Sequence, residues 1–335
     1  MLFDVEPKKR LCDFFAHRTE YEQLVNAIKR KDKITAIRGV RRIGKTSLMF
    51  IVYNEIMEPK IFIDGRMTKN AKEVIDEISL FIKEKNVLKS LKRIEIGIHG
   101  FNLGVELEKN TNLRELSKEI KKFKHLYIFI DEAQNIKKLD DLIAHIYDSF
   151  SNVSFILSGS EVGILDELLG EKTNSPLYGR ATTTIELNRM EKSDSLKFLE
   201  EGFKETKIKS PDKFEKVVGS LEGIIGWLTL YGYYASILKL KTPLKEVREV
   251  AKKIVKNEIM HFLRKRRSTR YLTVLKYVNG LSWEEIRVIV GKKEKKIINP
   301  KQITKYLNEL IKYGFLEKKG EKYWVADPII LEIFT

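Results

Sequence analysis

Cysteine is nearly missing from this chain: Cys12 is the single one among 335 residues. One thiol cannot build an internal disulfide framework or a multi-cysteine zinc site. Its scarcity fits a reducing, intracellular compartment. Histidine is scarce as well, and His17, His99, His125, His145 and His261 show no metal-ligand spacing. No G-x-S-x-G elbow is present, so a serine-hydrolase nucleophile finds no support. Long apolar runs are also lacking. The opening MLFDVEPKKRLCDFFAHR has no apolar core of signal-peptide length, and no later stretch reaches membrane-spanning length. The expectation is a cytoplasmic protein with no membrane partner. Acidic residues are in deficit: 47 Asp+Glu stand against 63 Lys+Arg, a formal net charge of +16. Such a balance favours polyanions, either nucleic acid or an acidic membrane face. A Lys- and Glu-rich surface of the heat-adapted kind has the same composition. Where the positive charge sits therefore matters more than its total.

What is present is enough to fold. Hydrophobic residues make up 43% and charged residues 33%, as in globular proteins, and the length suggests two or three domains. Residues 19–30 read as an amphipathic helix opened by Thr19. Residues 33–38 are a short β-type run, followed by a glycine-rich turn and an apolar-rich helix over 44–57. KIFID at 60–64 is a second strand, and 70–86 a helix with a broad apolar face. The runs at 125–130, 152–157 and 182–187 are further strands, the first almost continuously apolar, as expected of a strand covered on both faces. Strands alternating with helices imply a parallel sheet of βαβ units. Alternating apolar residues on either side of His99-Gly100 read as a β-hairpin inserted at about 92–108. The segment 191–266 is helical throughout. The α/β core is thus expected over 1–187, a helical region over 188–266 and a third domain over 267–335.

Residues 39–46, GVRRIGKT, satisfy G-x-x-x-x-G-K-[ST] between a strand and a helix. Gly39 and Gly44 let the backbone turn so that N–H groups along Gly39, Val40, Arg41, Arg42, Ile43, Gly44, Lys45, Thr46 and Ser47 face a phosphate, aided by the positive helix end. Lys45 is expected at the β- and γ-phosphates of ATP, and Thr46 on Mg²⁺. One of Arg41 and Arg42 is expected to approach the nucleotide and the other to face solvent. YIFIDE at 127–132 ends a buried strand with Asp131, suited to Mg²⁺, and Glu132, suited to orienting the attacking water. The next strand ends in LSGS. If it lies between the P-loop strand and the acidic strand, Ser158 sits beside the γ-phosphate as a sensor. Otherwise LSGS is an ordinary turn.

In these motifs and their order the sequence resembles the archaeal ATPase family, a branch of the AAA+ and STAND-like P-loop ATPases. The resemblance is carried by GVRRIGKTSLM, IFIDEAQN, FILSGS, SPLYGR at 175–180 and GIIGWLTLYG at 223–232, and it covers nearly the whole chain. It implies a nucleotide-binding α/β core, a helical lid and a C-terminal winged helix. It also implies that FFAHR packs against base and ribose, with Phe15 and Arg18 near adenine. Arg180 is implied to touch a γ-phosphate, within the chain or across a subunit boundary of an oligomer. The bland reading of Arg180 is a surface salt bridge. One departure stands out: Ile225 occupies the place of the proline usual in the lid motif, and a proline would pre-shape that turn.

The last segment resembles a winged helix-turn-helix. Helices are expected at 271–279, 283–290 and 301–313, with Pro300 opening the third. A hairpin wing follows at 315–325. Residues 267–326 hold 14 Lys+Arg and 6 Asp+Glu, so half of the excess charge lies in under a fifth of the chain. That favours a double-stranded DNA footprint. A protein-binding winged helix with solvated lysines is the alternative partner.

Overall fold

The computed structural model describes residues 1–94, 113–170, 175–264, 266 and 268–334. The β-hairpin expected at about 92–108 falls on residues outside those described, except that 92–94 close a helix. That helix is longer than expected because no glycine or proline interrupts it.

The elements run in the order α1 (Arg18–Arg30), β1 (Ile34–Arg38), α2 (Lys45–Glu55), β2 (Lys60–Asp64), α3 (Ala71–Ile94), α4 (Leu113–Ile120), β3 (Leu126–Asp131), α5 (Leu139–Ser149), β4 (Val153–Gly159), α6 (Val162–Leu168) and β5 (Thr183–Glu186). The five strands form one parallel sheet in the order β2-β3-β4-β1-β5. Strands β3 and β4 are buried along their whole length, which explains the near-continuous apolar run of β3, while β4 also buries Ser154 and Ser158. Apolar clusters cover both faces: Leu24, Leu48 and Val52 on one, Val74, Ile143 and Leu165 on the other. Because all strands are parallel, the loops after β1, β2, β3 and β4 gather at one rim, the usual ligand edge of such a sheet. Helix α1 begins at Arg18 rather than being capped by Thr19. His17 takes a left-handed φ of 63° there and its Nε2 lies 2.9 Å from the Ile43 carbonyl, so a tertiary contact sets the entry.

The chain continues with α7 (Lys192–Thr206), α8 (Phe214–Leu221), α9 (Ile225–Gly232), a π-helical turn (Tyr233–Ile237) and α10 (Pro243–Arg264). Then come α11 (Arg270–Tyr277), β6 (Leu281–Ser282), α12 (Trp283–Glu294), α13 (Pro300–Lys312), β7 (Leu316–Lys319), β8 (Lys322–Val325) and α14 (Ile329–Glu332). The small sheet β6-β8-β7 with its three helices is a winged helix. Ser282 caps α12 through a capping box, and Asn299 caps α13 ahead of Pro300 at its first position. The helical region and the winged helix share one apolar core: Phe262 of α10 meets Tyr271, Tyr313 and Phe315 edge-on at 5.1–5.2 Å. Among the described residues no helix is long and apolar enough to cross a membrane.

Candidate nucleotide-binding site

The loop between β1 and α2 takes positive φ at Gly39 (148°), Arg42 (64°) and Gly44 (104°). Gly39 also lacks room for a side chain, since a Cβ would stand 2.6 Å from the Leu187 carbonyl oxygen. The first N–H groups of α2, from Lys45 onward, have no carbonyl within the helix to bond, so they form an anion-ready helix end. Lys45 is almost fully buried and its ammonium donates to the carbonyls of Gly39 and Val40 at 2.7 and 2.8 Å, curling back over the loop. Burial brings its pKa down to about 8, against the pull of Glu132 and Asp131.

Across the rim, the Thr46 hydroxyl donates to Asp131 Oδ2 at 2.8 Å. A hydroxyl and a carboxylate thus converge, an all-oxygen donor set that fits Mg²⁺ held between protein and phosphates. The Ser158 hydroxyl donates to the other Asp131 oxygen, and β4 does lie between β1 and β3. Glu132 takes a left-handed φ of 51°, which turns it out of the strand. Its Oε2 accepts the Ser160 hydroxyl at 2.8 Å and the Gln134 amide at 2.5 Å. Burial opposes the charge, yet Lys45, Ser160, Gln134 and Arg41 together hold this carboxyl below the usual range. The LSGS segment therefore supplies one hydroxyl to each acid. Ser160 and Gln134 lie inside the quoted FILSGS and IFIDEAQN motifs, but the sequence assigns neither of them its role beside Glu132.

A cavity of about 380 Å³ opens from the loop towards the apolar side chains of Phe14, Phe15, Phe198, Ile225 and Trp227. Phe15 meets Phe198 edge-on at 5.5 Å. Arg18 is exposed, stands over the Tyr21 ring at 5.7 Å and lines a neighbouring cleft that it shares with Phe15. Residues 4–8 also line the cavity. They are tied down at both ends: the Lys8 N–H donates to Ser47 Oγ at 3.0 Å, and Phe3 is buried where a Cβ on Gly202 or Gly232 would come within 2.2 Å of its ring. No motif announces this strap. At the lid turn, Gly223 takes φ of 71° with no space for a side chain against Met190, and α9 starts at Ile225 without the proline.

Both loop arginines are partly buried, both line the cleft beside Glu132, and each is held by carboxylates from other elements. Arg41 reaches Glu161 at 3.1 Å, the Tyr313 carbonyl at 3.2 Å and the Phe315 ring at 5.6 Å. Arg42 pairs with Glu258 of α10, stands 3.5 Å from Asp327 and covers the Trp227 ring at 4.4 Å, while its carbonyl accepts the Gly226 N–H at 2.9 Å. The sequence shows the guanidinium groups but not partners 120 to 285 positions away.

Arg180 does not join the site. It lies three residues before β5, whose first residue Thr183 pairs with Thr35, so it sits at the N-terminal rim of the sheet. There it pairs with Asp148 at 2.7 Å and covers Tyr147 at 5.6 Å. A γ-phosphate bound by its own chain is out of its reach, which corrects the within-chain expectation. On the winged helix, Lys301, Gln302, Lys305 and Asn308 are exposed along α13, as are Lys292, Lys293, Lys295 and Lys296 before it and Lys318, Lys319 and Lys322 on the wing. The C-terminal end of α13 is docked: Lys312 pairs with Glu167, and a Cβ on Gly163 would lie 2.7 Å from Lys312 Cα.

The family described as ATPase domains predominantly from Archaea matches residues 14–230, and the C-terminal winged helix-turn-helix domain of MCM proteins matches residues 265–326. No curated protein matches. Among solved structures, a Walker-type ATPase of Pyrococcus abyssi is 30% identical with a TM-score of 0.82, over 99% of both chains. The ORC2 protein of Aeropyrum pernix, solved with ADPNP and ADP, has a TM-score of 0.58 at 14% identity, over 99% of this chain and 95% of that one. That second likeness is one of fold alone.

Proposed function

Since the chain belongs to this family of ATPase domains found predominantly in Archaea, we propose that it hydrolyses ATP to ADP and phosphate with Mg²⁺, and that the cycle repositions a winged helix that binds duplex DNA. The observation that carries the reading is the meeting of Thr46 and Asp131 at 2.8 Å beside a loop whose lysine is buried. Lys45 holds the β- and γ-phosphates, with the α2 N-terminus supporting them. Thr46 and Asp131 hold the metal, which when bound supplies charge neutralisation at the phosphates. Glu132 accepts a hydrogen bond from the attacking water and orients it. Its depressed pKa suits orientation better than outright proton removal. The base lies towards Phe15, Phe198 and Ile225.

The link to the winged helix is short. Arg41 and Arg42 lie between the two loop glycines, and their side chains end on Glu161, Glu258, Asp327 and the backbone of Tyr313. A loop that tightens on phosphate shifts these partners directly. A second reading, a slow switch whose winged helix binds a protein, draws support from exposed apolar side chains on that domain: Ile297 is 94% exposed, with Val288 and Trp324 partly so. The test of the nucleotide site is Lys45→Ala. We expect ATP affinity to fall at least tenfold, about 1.4 kcal/mol or more. Unchanged affinity by calorimetry removes the P-loop assignment.

A further inference from the structure

The cleft beside Glu132 has a wall that the P-loop does not supply. A cavity of about 320 Å³ is lined there by Glu132, Ser160, Glu161, both loop arginines and Arg66. Arg41 and Arg42 are each held by carboxylates from other elements. Arg66 is different. Its guanidinium pairs with Asp64, only two residues earlier, through Nε at 2.9 Å and a terminal nitrogen at 2.7 Å, and its side chain is 65% exposed. A pair so open to water contributes little and exchanges partners readily.

The backbone beneath it is fixed. Asp64 ends β2 in register with Asp131, and the Gly65 N–H donates to the Asp131 carbonyl at 2.8 Å. A Cβ on Gly65 would stand 2.5 Å from the Glu132 carbonyl oxygen, so only glycine lets β2 leave the sheet this close to the two acids. Arg66 therefore starts from a rigid point next to Asp131-Glu132, and both acids contribute to raising its pKa after Asp64 does. Arg180, the arginine singled out by resemblance, is at the opposite rim.

We propose that Arg66 is the arginine of the same chain that contacts the terminal phosphate of ATP, leaving Asp64 to donate two N–H groups to the phosphate oxygens. The proposal rests on the ATPase reading. In the step itself, water oxygen bonds to the γ-phosphorus while the bond from that phosphorus to the bridging oxygen breaks. The electron pair stays on ADP and the water proton ends on the released phosphate. Arg66 offsets the charge on the three equatorial oxygens and on the leaving oxygen.

The experiment compares the full chain with Arg66→Ala and Arg66→Lys, measuring ATP turnover and the affinities for ADP and for a non-hydrolysable ATP analogue. Arg66→Ala is expected to lower kcat at least about tenfold and to weaken the triphosphate analogue several-fold, with ADP affinity held within about twofold. Arg66→Lys keeps a charge without the fork and is expected to restore part of the triphosphate preference. Turnover and triphosphate preference equal to the unaltered chain overturn the proposal. So does an equal loss of affinity for both nucleotides, or a lowered melting temperature that accounts for the change, since each marks Arg66 as structural. An unaltered chain with no turnover defeats the hydrolytic reading alone, and the triphosphate-against-diphosphate comparison still decides Arg66.

Discussion

The Ser160 hydroxyl donates to Glu132 Oε2 across 2.8 Å, and the carbonyl of the same serine lies 2.6 Å from where Gly314 would carry a Cβ. Gly314 follows α13 with φ of 71°, so the turn leaving that helix presses its backbone against the residue that holds the candidate water-orienting acid. The candidate site and the winged helix thus meet at one residue.

Glu132→Gln keeps size and polarity but removes the charge that accepts from water. We expect ATP binding to persist while turnover drops about a hundredfold or more. Ser160→Ala should cost less, because Gln134 still engages the same oxygen. Near-normal turnover in Glu132→Gln moves the role to another residue.

Lys45 carries a pH signature. Burial sets its pKa to about 8, so it is charged below that pH and loses its proton above it. A bound phosphate favours the charged form and raises the pKa. ATP affinity should therefore fall as pH rises from about 8 towards 10, and binding in that window should take up protons. Calorimetry in buffers of different ionisation heat reads this uptake. An uptake that persists in Lys45→Ala assigns it to another group.

Arg180 and Asp148 form a patch at the far rim of the sheet. If Arg180 serves a neighbouring subunit, specific ATPase activity rises with protein concentration, and added Arg180→Ala subunits poison mixed assemblies. Activity independent of concentration, without poisoning, leaves the residue as a salt bridge over Tyr147.

The winged helix should bind duplex DNA with little sequence preference, since lysine contacts position without specifying and only Gln302 and Asn308 offer amides to base edges. Gln302 already accepts from Arg270 at 2.8 Å, which ties up one of its groups. About four to six phosphate contacts would give a log–log salt slope near −4 to −5. Neutralising Lys318, Lys319 and Lys322 together should flatten that slope by about three contacts' worth and leave ATP turnover intact. Absence of duplex binding by the full chain at low salt turns the reading to a protein partner.

The parallel sheet, the phosphate loop and the winged helix were legible in the sequence for local reasons. A positive φ needs glycine at Gly39 and Gly44, a strand covered on both faces reads as an apolar run, and Asp131-Glu132 closes such a run. The GIIG turn was readable only in part: the sequence shows that the pre-shaping proline is replaced by Ile225, but not that Gly223 and the Arg42 carbonyl shape the turn. Other features depend on which distant surfaces meet. Arg41 and Arg42 read as nucleotide or solvent groups until α10 and the winged helix arrive with Glu258, Tyr313 and Asp327. Phe3 has no motif, and its socket is made by two glycines on different helices. Arg180 and Arg66 are both arginines next to a glycine in sequence. Strand direction alone separates them, placing one before β5 at the far rim and the other after β2 at the rim where the acids stand. Backbone conformation and burial periodicity are written within a few residues, so the sequence determined the fold and the phosphate loop. The partner of a long charged side chain is settled only when elements hundreds of positions apart pack together, so the tertiary structure decided which arginines face the cleft.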